Sequence, residues 1–288
     1  MAESILNNET PIRLGFFFGV LLLMALWELI SPRRRLGVSK PLRWVNNLSL
    51  VFLNSLVLRV VYSVIFPVAA LGTAVLAAEQ GWGLLNALAL PEWVEVVAAV
   101  LALDLLIYAQ HVAMHLVPPL WRLHRMHHAD LDIDVTTGAR FHPIEIVLSM
   151  GIKMGAVVAL GASPLAVLIF EVVLNATAMF NHANARLPLA VDRLLRLILV
   201  TPDMHRVHHS IVQEETNSNY GFNLPWWDRI FGTYRAQPAA GHDAMTIGIE
   251  RFREPRYLQL HLLLAQPFIG GNNSLGETFH EGKARDEG

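Results

Sequence analysis

The sequence predicts an all-α, polytopic membrane protein. It has about four to five membrane-embedded helices and a cytoplasmic helical cap that carries a dinuclear histidine site. Three observations lead there. The chain is strongly apolar, its apolar residues gather in stretches of bilayer length, and most of its histidines fall on one side of those stretches.

Of 288 residues, 53% are hydrophobic and only 16% charged, with a mean hydropathy of +0.40, well to the apolar side of globular usage. The formal charge of −2 offers no electrostatic footprint for a nucleic acid. The chain has no cysteine. That excludes disulfides, a thiolate nucleophile, Cys-ligated zinc, conventional iron–sulfur clusters and thiolate-ligated haem.

The first stretch is Leu14–Ile30, followed by Arg33, Arg34 and Arg35. A cleavable signal peptide carries its positive charge before the apolar run. The reversed order predicts an uncleaved transmembrane helix, whose length of about 25 Å just spans a bilayer. Leu48–Ala78, interrupted by Arg59 and Pro67, is expected to be one crossing with an interfacial lead-in. Trp93–Leu116 is the next span. Ile144–Leu160 and Leu165–Phe180 flank the turn signal Gly161-Ala-Ser-Pro164 and read as a helical hairpin. Leu189–Val200, with Asp192, Arg193 and Arg196, suits a helix lying on the bilayer surface. The tail from Gly270 is polar and Gly-rich, which predicts disorder, and its His280 is assigned no role.

Arg33, Arg34, Arg35, Lys40 and Arg43 crowd the first loop, whereas no Lys or Arg occurs between Arg59 and Arg122. The positive-inside rule therefore makes the first loop cytoplasmic and the second external. Counting crossings from there puts 121–142 and 187–288 on the cytoplasmic side.

Those segments carry His-x-x-His-His twice, as His124/His127/His128 and His205/His208/His209. On a helix the first and third histidines share a face while the second points about 100° away, so one unit can serve two centres. His111 and His115 share a face at the end of a span. With His182 the imidazoles number nine, too many for one ion and suited to two. Imidazole suits iron, zinc, copper and nickel alike. Asp104 and Tyr108 lie on the stripe of His111 and His115. An ionisable residue inside a span is a functional candidate, and Asp104 is expected to accept a hydrogen bond from a ligand imidazole or from Tyr108. His242 and His261 are read as ordinary histidines.

These residues resemble the fatty acid hydroxylase/sterol desaturase superfamily of membrane non-haem di-iron oxygenases. The resemblance runs from about Asp104 to Pro238. It includes Arg140–Glu145 (RFHPIE), Asn181–Pro188 (NHANARLP) and Asn219–Tyr234 (NYGFNLPWWDRIFGTY). It implies one ion held by His111, His115, His124, His128 and His208, and another by His127, His182, His205 and His209. The second set is one ligand short. Asn184, His142 or water are the candidates to complete it, with His142 more at home beside the ligands than among them.

The resemblance also implies two iron ions, with zinc replacing them on overexpression, and O2-dependent hydroxylation or desaturation of a lipid or sterol-like substrate. The chain has no flavin, nicotinamide or haem motif, so electrons would come from a separate redox carrier. The implied organisation is 1–100 as N-terminal transmembrane helices, 101–240 as the hydroxylase-like domain, 241–269 as a C-terminal cytoplasmic segment and 270–288 as tail. Two other classes stay open. One is a zinc-dependent lipid hydrolase with Glu145 or Asp228 as base; the other is a membrane metal-binding or transport protein.

Overall fold

The computed structural model describes residues 5–64, 69–88 and 90–270. Pro67, His280 and the expected disorder after Gly270 lie outside them. Among the described residues there is no strand, only two isolated bridges, Pro32 with Ala185 and Ser210 with Ile247. The helices are α1 (Glu9–Ile30), α2 (Lys40–Val64), α3 (Ala70–Glu79), α4 (Leu84–Ala87), α5 (Glu92–Leu116), α6 (Pro118–His128), α7 (Pro143–Leu160), α8 (Pro164–His182), α9 (Leu189–Leu195) and α10 (Pro202–His208). Shorter turns of helix follow, among them α11 (Gln213–Thr216) and α12 (Trp226–Ile230).

α1, α2, α5, α7 and α8 are each long and apolar enough to cross a membrane, and we read the chain as a multi-pass membrane protein. Their outer faces are greasy. On α1 only Met24 and Glu28 are buried, while Phe16, Phe18, Leu22 and Leu29 are exposed. The core between the helices joins Leu103 and Ile107 of α5, Val157 of α7 and Ala166, Val167 and Phe170 of α8.

Local chemistry sets the boundaries. Prolines occupy the first turns of α6, α7, α8 and α10, where the missing N–H costs nothing. The side chains of Ser163 and Thr201 cap α8 and α10. α7 ends on Gly161 at φ 68°, and a side chain there would strike the Trp82 carbonyl at 2.4 Å. The expected turn is therefore present, although α7 and α8 both pack on α3 and α5 more than on each other, and it is packed against 82–83. That packing places 82–83 at the end of the bundle away from the histidines of α5 and α6.

Three expectations need correction. The stretch 48–78 divides into two helices: α2 starts eight residues earlier than its apolar run, at Lys40, and α3 is separate. At ten residues α3 rises about 15 Å, too short to cross, and packs on α7 and α8. Arg43 is not a loop charge but a fully buried residue of α2. Its guanidinium donates to Asp130 Oδ1 at 2.8 Å and Oδ2 at 2.9 Å, to Asp134 Oδ2 at 2.5 Å and to the Asp132 carbonyl at 3.0 Å. α9 ends at Leu195, and two of the three charges turn inward while Arg193 stays exposed: Asp192 pairs with Arg196 and accepts from the Thr201 hydroxyl at 2.6 Å. Leu189, Leu194, Leu197 and Ile198 are left outermost.

With no native cysteine, topology can be read from single cysteines. One at exposed Glu254, on the histidine side, and one at exposed Trp82 should label with impermeant reagents from opposite faces of sealed vesicles. Labelling of both from one face would break the five-span reading.

Candidate metal centre

α5 and α6 are separated only by Val117, an extended residue held so by the following prolines. The break turns α6 back beneath the end of α5. His111 and His115 of α5 then meet His124 and His128 of α6, and α10 brings in His208. The middle histidine of each motif crosses to the neighbouring group. His127 joins His182 at the end of α8 with His205 and His209. Within each group of five and four, one ring nitrogen per residue lies within 4.8 Å of all the others. All nine side chains are buried. These are the two sets that the resemblance named.

The ring tautomers follow from the partners. Nδ1 of His111 lies 2.7 Å from the Tyr220 carbonyl, that of His208 2.7 Å from the Ser218 carbonyl, and that of His182 2.7 Å from the Ala178 carbonyl. Nδ1 of His127 lies 3.2 Å from the Arg140 carbonyl, and that of His124 lies 2.7 Å from Glu145 Oε1. A carbonyl can only accept, so the first four Nδ1 atoms carry the protons and donate. Their Nε2 atoms are bare in the neutral ring. Yet Nε2 of His111 and His208 stand 3.0 Å apart, and those of His127 and His182 3.2 Å. Two lone pairs at that distance cannot hydrogen-bond.

Burial, and then the neighbouring imidazoles, hold His127, His128, His205 and His209 well below the usual imidazole range. Burial pushes His208 down to about 3. Protonation therefore does not relieve the crowding. Both ring nitrogens of His115 and of His128 are buried without a hydrogen-bond partner, as is Nδ1 of His205 and of His209. Buried polar atoms are seldom left so. Convergent bare nitrogens are the donor set of a cation, and the residues present fit a metal ion in each group.

The carbonyl supports are themselves braced. Asp228 accepts from the Tyr220 N–H at 2.8 Å and the Gly221 N–H at 2.9 Å. A side chain at Gly221 would strike Asp228 and the Leu224 carbonyl at 2.8 Å. Asn219 takes φ 52°, a region where Asn is enriched. Its amide ties the Met204 carbonyl to both the N–H and carbonyl of Arg235. Burial raises the Asp228 carboxyl above its ordinary range. Glu28 at the end of α1 accepts from the N–H of Val135 at 2.7 Å and of Asn184 at 2.9 Å.

The expected supporting residues are placed elsewhere. Asp104 touches neither an imidazole nor Tyr108. It accepts from Asn223 Nδ2 and Trp227 Nε1, each at 2.7 Å. Tyr108 shares a hydrogen bond with the Thr233 hydroxyl at 2.9 Å. Helical periodicity put both on the histidine stripe, but the cap segment 220–234 covers that stripe deeper down and captures them. The Asn184 side chain bonds the backbone of Arg34. His142 caps α7, accepting from the Ile144 N–H at 3.2 Å, and faces the Leu264 carbonyl. It belongs to neither group. His242 is buried 3.7 Å from Asp203, and His261 is exposed.

Sequence reasoning missed Glu145 as the partner of His124, Glu28, and the Arg43–Asp130–Asp134 lattice. The alternating acids of Asp130-Leu-Asp-Ile-Asp134 beside a histidine motif were a readable signal for the last of these.

A cavity of about 510 Å³ opens beside the five-histidine group, with His111, His124, Glu145 and Phe141 in its wall. None of the four histidines of the other group lines it.

Residues 96–233 match the family model described as fatty acid hydroxylase. Among known proteins, the chain is 33% identical over 175 residues to ornithine lipid hydroxylase OlsE of Rhizobium tropici, which covers 60% of this chain and 50% of that one. It is 31% identical over 177 residues to alkylglycerol monooxygenase of Homo sapiens, 58% of this chain and 36% of that one. It is 27% identical over 145 residues to cholesterol 25-hydroxylase of Rattus norvegicus, 50% of this chain and 47% of that one. The chain thus spans half or less of the length of these relatives. No solved structure matches it.

Two outcomes test the site. Asp104→Asn should loosen the cap by about 2 kcal/mol, the scale of a hydrogen bond to a charged group, and leave metal content intact. Loss of metal without loss of stability would return Asp104 to the histidines. Gly138→Ala would place a methyl 2.6 Å from the Ala178 carbonyl and 3.2 Å from His182 Nδ1. Metal analysis should then show loss from the four-histidine group, whereas Gly151→Ala, with open space around it, should change nothing.

Proposed function

We propose, from the match of residues 96–233 to the fatty acid hydroxylase family model, that the chain is an O2-dependent, non-haem di-iron oxidoreductase. It would hydroxylate or desaturate a C–H bond of a lipid or sterol-like substrate. The observation that carries this reading is a ligand-sized cavity that opens beside the five-imidazole cluster, with the four-imidazole cluster packed behind it.

Bound iron would supply the oxygen and electron-transfer chemistry. His111, His115, His124, His128 and His208 would hold one ion, and His127, His182, His205 and His209 the other. The carbonyls of Tyr220, Ser218, Arg140 and Ala178, with the Glu145 carboxylate, orient the rings toward them, as outer-shell partners of metal-bound histidines do. Ile107, Met114, Phe141 and Phe222 give the cavity apolar walls that keep water from the reacting carbon. Asp104 and Tyr108 act at a distance, by seating the cap segment 220–234, and Asn184 by holding the backbone of Arg34.

Ornithine lipid, alkylglycerol and cholesterol are, by their names, substrates of the relatives. They share an amphiphilic character and little else, which supports the class and not one member. The chain itself offers no obvious binding motif for an organic redox cofactor, so a separate electron carrier would serve it. A cytoplasmic position of the site is supported by charge. The metal end carries Arg34, Arg35 and Arg186, and the opposite loop, 80–91, has no Lys or Arg. A zinc hydrolase has less support, because both oxygens of Asp228 are taken by the 220–221 backbone and one oxygen of Glu145 by His124.

Protein from iron-replete cells should contain two iron ions per chain, falling to one in His127→Ala/His209→Ala. Lipid incubated with it should gain one oxygen atom, or lose a hydrogen pair, only with O2 and reductant. Product formed anaerobically would overturn the oxygenase reading, and one metal unaffected by the double variant would overturn the dinuclear one.

A further inference from the structure

The cavity beside the histidines has a second, unlike end. Lys153 of α7 and Glu171 of α8 form a buried ion pair there, and Arg13 of α1 donates to the other oxygen of Glu171 at 2.5 Å. All three residues line the same cavity as His111 and His124. Ionisable groups within membrane spans are costly and mark binding sites or pathways.

A staple between helices needs one cation for one carboxylate. Here two cations share Glu171. The remaining neighbour, Glu9, reaches Arg13 Nε only at 3.4 Å and is 36% exposed. Arg13, at 31%, is about as exposed as Glu9, but Glu9 does not line the cavity, so the wall at this end carries two cations to one carboxylate.

The position along α7 gives a scale. Glu145, which bonds His124, and Lys153 are eight residues apart, so the two ends are separated by about 12 Å, or roughly ten methylenes of an extended chain. A second groove, of about 580 Å³, lies on the outside between Phe16, Phe18, Leu48 and Phe52. It shares Arg13, Phe17, Ser55 and Glu171 with the cavity. The charged end therefore stands where the cavity meets the lipid-facing surface.

The geometry points to a headgroup site: Arg13 and Lys153, bridged by Glu171, receive the anionic head of a single-chain amphiphile whose chain runs toward His111 and His124. This rests on reading the histidine end as the reacting end. It sets the oxidised carbon far along the chain from the anion.

The test is a binding titration of the full-length, metal-loaded protein in detergent with cis-parinaric acid, a fluorescent carboxylate, and with its methyl ester. The acid should bind about tenfold more tightly than the ester, as a charge-assisted contact would require. Lys153→Met, which leaves Glu171 paired with Arg13, should bring the acid down to the ester. Ester binding and metal content should not move. If that variant does not fold, Arg13→Met, at the partly exposed rim, should give the same levelling. Displacement by oleate rather than by oleoyl lysophosphatidate would name a carboxylate head, and the reverse a phosphate. Equal binding of acid and ester by the unaltered protein, or equal loss of both in the variant, would overturn the site and leave the ions as a staple. Turnover is not read, so discrimination without any lipid oxidation would remove the proposed function and keep the headgroup site.

Discussion

Bare imidazole nitrogens facing one another, at 3.0 Å between His111 and His208 and 3.2 Å between His127 and His182, are the constraint on which the rest of this structure depends. Neutral rings so arranged repel, and burial denies them the proton that would turn repulsion into a hydrogen bond. Only a cation makes the arrangement favourable. Its binding then contributes to folding, because ligands brought together by the fold have no counterpart in the unfolded chain. Every backbone carbonyl aimed at an Nδ1 serves this end, fixing which nitrogen is free.

Holding those carbonyls takes a second layer of charge. Arg43 binds Asp130 and Asp134 and so shapes 129–139, while Asp228 shapes 219–221. Burial opposes ionisation of Asp130, yet Arg43 and then Arg140 hold its carboxyl down at about 2. Buried ion pairs contribute little net stability, since desolvation offsets attraction, but losing one partner is severe. The lattice therefore fixes geometry more than it adds stability.

Much of this was legible. Spans announce themselves by apolar length, and the histidine spacing by itself sorts the rings into two faces. Asp104 was misread for a physical reason. A helix stripe says which residues share a face, not which neighbour covers each turn of it, and Asn223 and Trp227 arrive from over a hundred residues away. Arg43 was misread because charge counting treats every arginine near a span as solvated. His142 was ambiguous because one residue type both ligates and caps. The second helix of 48–78 was lost because hydropathy alone does not show where an apolar stretch divides.

Glu28 closes the circle between ends of the chain that no motif joins. Its one carboxylate oxygen, Oε1, holds the loop after the first histidine motif and the loop after His182 at once, from the foot of a helix wholly outside residues 96–233. The unit of homology and the unit of mechanics are thus different objects. The segment 96–233 transplanted onto foreign helices would bring all nine imidazoles and yet leave two of their supporting loops untethered. An engineered chimera of such proteins has to be cut ahead of α1, not at the border that sequence similarity draws.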